Sequence, residues 1–117
     1  MLITIDPSDA RPLFEQVGSA VRLAVIRGEV SPGERLPAAR DLAEALDVNV
    51  NTVLHAYRDL REEGLLELHR GRGATVSAHA ARDFARLREQ VVQLRAEASR
   101  LGVRPATLAA MLTEETP

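Results

Sequence analysis

The sequence predicts a mostly α-helical chain with a small β-hairpin wing: a winged helix-turn-helix over residues 1–77, then a two-helix tail over residues 78–117. Three observations predict it. "AARDLAEAL" and "VNTVLHAYRDL" are short amphipathic stretches separated by only Asp47 to Asn49, the helix-turn-helix pattern. "LLEL" and "ATVS" flank the glycine-bearing "HRGRG", a hairpin pattern. Beyond them, Phe84, Leu87, Val91, Leu94, Ala98 and Leu101 step by 3, 4, 3, 4 and 3, one apolar seam along a helix.

In chain order, "LITI" (Leu2 to Ile5) reads as a short strand stopped by Asp6-Pro7. Pro12 suits a first helical turn, and Phe14, Val17, Val21 and Val25 form one stripe that Gly28 ends. "SPGERLP" reads as a turn, because Pro32-Gly33 supplies the fixed φ and the permissive residue of a type II turn. The second helix buries Leu42, Ala43 and Leu46. The third has Asn49 as its N-cap and Val53, Ala56, Tyr57 and Leu60 at helical spacing, with Gly64 as its end. "AHAA" reads as a joint before the seam-bearing helix, and a last helix from about Pro105 to Glu114 carries Leu108, Met111 and Leu112. A seam without a partner in its own domain finds one in a second copy of the chain, so the tail is expected to dimerise.

Composition narrows the function. With no cysteine there is no disulfide framework, thiolate metal site or thiol catalysis. No apolar run approaches membrane-spanning length and the start lacks a signal-peptide pattern, which predicts a cytoplasmic protein without a membrane partner. As a bulk property the net charge of -2 counts against nucleic-acid binding, but the charge is unevenly spread. Residues 64–82 carry three arginines against one acid, the one net-positive stretch, while residues 38–63 carry three arginines against six acids. His55, His69 and His79 are not spaced as ligands on one helix and no carboxylate cluster joins them, so neither a metal nor another cofactor is expected. No Ser/His/Asp arrangement or phosphate-cradling glycine loop stands out. The chain does not read as an enzyme.

The stretch from "PLFEQVGSAVRLAVIRGEVSPGERLP" through "GRGATV" resembles the N-terminal DNA-binding domain of the GntR family of bacterial transcription regulators. "PGERLPAARDLA", "VNVNTV" and "GRGATV" together carry that resemblance, over about residues 1–77. The opening "LITIDPSDARPLFEQV" and the short two-helix tail are similar to the YtrA-like subfamily, whose tails dimerise. Three positions depart from the family pattern: Ala38 where serine is frequent, Asp47 where glycine is usual, and Val50 where a basic residue or proline is common. Asp47 tolerates a left-handed turn better than most residues, so the turn survives the change.

The third helix carries one full positive charge on its outward face, Arg58, beside Asn51, Thr52 and His55. Its free N-terminal N–H groups favour a phosphate. Asn51 is the residue type that bonds adenine bidentately, and Thr52 suits a base, a phosphate or a thymine methyl. Asn49 serves first as the cap, and His55 meets a base or phosphate or is merely exposed. The resemblance implies further contacts by Arg40 on the second helix, which has a rival partner in Glu44, and by Arg70, Gly71 and Arg72 in the wing. The dimer seam is Phe84, Leu87, Val91, Leu94, Ala98 and Leu101, with Leu108 and Met111 from the last helix.

The expectation is therefore a sequence-specific transcription regulator, a repressor, that binds double-stranded DNA as a homodimer on an inverted repeat. A protein-interaction winged helix without specific DNA binding is the alternative, and it suits the acidic balance. The tail is too short to form a large ligand-binding domain, which leaves room only for a small effector between the tail helices and the winged domain.

Overall fold

The computed structural model describes residues 3–31, 33–70 and 73–114. Its elements are α1 (Leu13–Ile26), β1 (Arg35–Leu36), α2 (Ala39–Leu46), α3 (Val50–Glu62), β2 (Leu66–His69), β3 (Gly73–Val76), α4 (Ala78–Arg100) and α5 (Pro105–Thr113). Two compact units result, Met1–Ala85 and Arg86–Pro117.

The first unit is built around α3. Val53, Ala56, Tyr57 and Leu60 are all buried, on the helical spacing that the sequence shows. They pack with Val17, Val21 and Val25 of α1, Leu42 and Ala43 of α2, and Leu66, Ala74 and Val76 of the hairpin. Gly18 of α1 faces α3, where a Cβ would stand 3.9 Å from the Ala56 methyl, an ordinary van der Waals contact. Leu46 and Phe14, assigned to the core by their spacing, are only half-buried.

The sheet is antiparallel in the order β1-β3-β2. Its hairpin is in register with Leu66 opposite Val76 and His69 opposite Gly73. The third strand corrects the reading of "SPGERLP" as turn alone, because Arg35 and Leu36 pair with Thr75 and Ala74. Two residues are too few to show a period, and only the open edge of β3 makes them a strand.

The opposite correction applies at the start of the chain. Ile3 to Ile5 do not form a strand, although Ile3 and Ile5 do pack against the core. The loop that follows is held by a side chain: buried Gln16 accepts from the Asp6 N–H at 3.0 Å and donates from Nε2 to the Arg11 carbonyl at 3.0 Å. The "AHAA" joint is corrected too, since all four residues are the first turn of α4. Ser77 leads into it, with its N–H on the Leu65 carbonyl at 2.9 Å and its hydroxyl donating to the Gly64 carbonyl at 2.7 Å. Ala80 is buried, which docks that turn on the core.

In the second unit, α4 ends at Gly102, whose φ of 76° is left-handed, and the Val103 N–H returns to the Ala98 carbonyl at 2.8 Å. Pro105 then starts α5, where its missing N–H costs nothing. No helix among the described residues is long and apolar enough to cross a membrane.

Candidate nucleic-acid interface

The turn between α2 and α3 determines how the reading helix is presented. Asp47 adopts φ 55° and ψ 49°, the left-handed conformation that a tight helix end requires. Its N–H bonds the Glu44 carbonyl at 3.3 Å, and the Val48 N–H reaches back to the Ala43 carbonyl at 3.0 Å. Aspartate therefore occupies the αL position where glycine is the usual choice.

Asn49 then caps α3: its Oδ1 accepts from the Asn51 N–H at 2.8 Å. That engages the Asn49 acceptor inside the protein and leaves Asn51 to project its own side chain. Asn51 and Arg58 are exposed and Thr52 is half-buried. Among the described residues, none of the three side chains has a hydrogen-bond or ion-pair partner. His55 is different. Its ring stacks on Phe14 of α1, with centroids 3.8 Å apart and planes 10° apart, and Nε2 lies 3.5 Å from the Asp59 carboxylate. The intramolecular stack occupies one face of the imidazole.

Arg40 is exposed in the first turn of α2, and the i,i+4 ion pair with Glu44 does not form. Arg70 is exposed where β2 ends. Gly71 and Arg72, the expected wing tip, lie outside the described residues. Within the hairpin, His69 Nε2 and Thr75 Oγ1 are 2.9 Å apart, which ties the two strands near the tip. The described residues hold no group of three or more His, Asp or Glu side chains suited to a metal.

Two features escape sequence reading. Tyr57, a core position by its spacing, sends its hydroxyl to the Pro37 carbonyl at 2.7 Å, and burial pushes the phenol up to about 12. The signal was available, because a buried tyrosine hydroxyl needs a partner, but the partner lies 20 residues away in the chain. The second is a cleft of about 550 Å³ where α2, α3 and the hairpin meet, with Ala38, Arg40, Leu54, Tyr57, His69 and Gly73 on its walls.

The tail's expected seam divides three ways. Leu87, Val91, Leu94 and Leu101 are exposed by 45%, 46%, 41% and 61%. Phe84 packs half-buried against the core of the first unit, and Ala98 is already buried within the single chain. Leu108 is half-buried and Met111 exposed, and Val91, Leu94, Pro105, Leu108 and Leu112 line an apolar groove of about 200 Å³.

Residues 13–76 match the sequence profile described as "Bacterial regulatory proteins, gntR family". The chain is 36% identical over 107 residues to the HTH-type transcriptional repressor YtrA of Bacillus subtilis, covering 87% of this chain and 82% of that one. The solved structure of YtrA from Sulfolobus acidocaldarius, a GntR-family transcription factor, is 33% identical and superposes with a TM-score of 0.63 over 84% of this chain and 99% of that one. The fold alone is shared with the AraR DNA-binding domain solved in complex with operator ORE1, at 23% identity and a TM-score of 0.56 over 66% of this chain and 94% of that one.

Proposed function

This chain belongs to the gntR family of bacterial regulatory proteins, and from that premise we propose that it is a sequence-specific repressor that binds an inverted-repeat operator as a homodimer. The observation that carries the reading is the start of α3. An N-cap satisfied from within leaves Asn51 and Thr52 at a positively polarised helix end with their own side chains unspent. In this reading Asn51 and Thr52 enter the major groove and meet base edges, while Arg58 and His55 lie nearer the backbone. Arg40, Arg70, Gly71 and Arg72 bring the backbone contacts that position the helix without reading sequence. The AraR domain supports it as the same fold in complex with an operator.

The functional division is a DNA-binding part, residues 1–77, and a dimerising tail, residues 78–117. A second copy covers Leu87, Val91, Leu94, Leu101 and Met111, and Leu108 and Leu112 frame the groove that receives it. Ala98 lies buried within its own chain beneath that surface, and Phe84 packs on the core of the first unit. Dimerisation doubles a modest set of cationic contacts, which is how a chain of net charge -2 binds a polyanion. Two-fold symmetry then sets the half-site centres about one helical turn, ~34 Å, or a multiple of it apart.

Selection from a random duplex pool at about 0.15 M salt tests this, because non-specific binding is weak there. An enriched inverted repeat is the expected result. Enrichment of a single asymmetric site removes the dimer model. A folded protein that enriches nothing favours a winged helix that binds protein, and that reading also expects Asn51→Ala and Thr52→Ala to leave activity intact.

A further inference from the structure

We infer that the Tyr57 hydroxyl is a positioning group for DNA binding: through the Pro37 carbonyl it sets where the start of α2, with Arg40, stands against the reading helix. The inference rests on the DNA-binding reading above and adds a residue that touches no DNA.

Tyr57 belongs to α3, about one and a half turns beyond the base-reading residues, and is 2% exposed. Its hydroxyl donates to Pro37 at 2.7 Å. Pro37 occupies a junction. The residue before it, Leu36, is paired with Ala74 in the sheet that carries the wing. The residue after it, Ala38, is the N-cap of α2 and brings no side-chain cap. Proline has no N–H, so its carbonyl is the one backbone group it offers, and Tyr57 takes it. One bond from α3 thus holds the point where the wing strand becomes the Arg40 helix.

Packing holds the body of α2, since Leu42 and Ala43 are buried in one core with Leu36 and Tyr57. The start of that helix is less enclosed: Ala38 and Arg40 are exposed and border, with Tyr57, the cleft of about 550 Å³. At that exposed end the hydroxyl adds a directional tie to the packing behind it. A phenylalanine would fill the same core volume and leave the junction untied, so the hydroxyl and the ring are separable by substitution.

The test uses the whole chain carrying Tyr57→Phe and the inverted-repeat duplex enriched in the selection above. Affinity at 0.15 M salt is expected to fall about fivefold, the effect of one hydrogen bond. The slope of log K against log salt is expected to shallow by about one for each displaced phosphate contact. In an Arg40→Ala background the same substitution is expected to cost less than about twofold, because the contact it positions is already gone. In the free protein, amide exchange at Leu42 should quicken while that at Val53 and Leu60 stays slow. An unchanged salt slope, an undiminished cost in the Arg40→Ala background, or unchanged exchange at Leu42 each overturns the inference. If the parent enriches no duplex, the DNA-binding reading has failed, and the exchange measurement still judges the tie itself.

Discussion

The winged unit and the tail treat the same kinds of side chain in opposite ways. In the first, valine and leucine at helical spacing disappear into one core, with Val17, Val21, Val53 and Leu60 fully buried. In the second, the spacing is as regular, yet Leu87, Val91, Val92, Leu94, Leu101, Met111 and Leu112 stay exposed. Among the described residues nine large hydrophobic side chains are exposed, and seven of them lie in the tail, so the imbalance is not the scatter of single apolar residues that any surface shows. Periodicity reports that a helix has an apolar face. It does not report whether the cover comes from the same chain. Three helices and a sheet cover one another in the winged unit, whereas two helices have no third layer to complete a core.

The largest break in that comparison should come from equal truncations in the two units. Leu60→Ala is expected to destabilise the winged unit by about 2–5 kcal/mol, the range for a fully buried leucine, read from urea midpoints. Leu101→Ala, measured at a concentration where the chain is monomeric, should change stability by less than about 0.5 kcal/mol. Equal losses at the two positions would mean that the tail is covered from within. Next in size, Leu94→Glu should weaken self-association by about a hundredfold, ~2.7 kcal/mol, while the melting of the winged unit is preserved. Sedimentation at graded concentrations measures the first and circular dichroism the second. An unshifted monomer–dimer equilibrium would remove Leu94 from the interface.

Alkali should separate the units further. The Tyr57 phenol is raised from 10.0 to about 12 by burial, so the folded state holds its proton more tightly than the unfolded one. The stability this provides is fully present below pH 10 and is lost as the pH climbs through 12, a change of roughly 2–3 kcal/mol at most. Tyr57 is the chain's single tyrosine, so phenolate absorbance reads it directly, and Tyr57→Phe should abolish this part of the pH dependence. At the small end, both units carry an exposed ion pair of similar worth. Arg22 of α1 meets both Glu63 carboxylate oxygens at 2.8 and 2.6 Å, and Arg100 pairs with Glu97 on α4. Arg22→Ala and Arg100→Ala should each cost under about 1 kcal/mol in low salt and less at high salt. A larger loss for Arg22 would show that the pair clamps α1 to the end of α3.

Most of the fold was legible because its signals are local. The Asn49 cap, the left-handed tolerance of Asp47 and the stripe on α3 each depend on residues within a turn or two, and the structure reproduces all three. The misses are non-local. Strand β1 exists because β3 presents an edge to it, whereas Ile3 and Ile5 pack against the core without joining the sheet. The candidate site follows the same division. The outward projection of Asn51 and Arg58 follows from helical phase, but the stack of His55 on Phe14 joins two helices 41 positions apart and has no sequence signature.

By itself, the sequence determined which segments are helical, which face of each is apolar, and that the second and third helices meet through a three-residue turn. Those are consequences of hydrogen-bond periodicity and capping, which act over a few residues. Only the tertiary structure decided that Tyr57 ties α3 to the entry of α2, that His55 is stacked on Phe14, that Phe84 and Ala98 are covered within the chain, and that the rest of the tail's apolar seam stands open. The reason is that burial and side-chain pairing depend on which surfaces meet, and residues far apart in sequence supply the two halves of each contact.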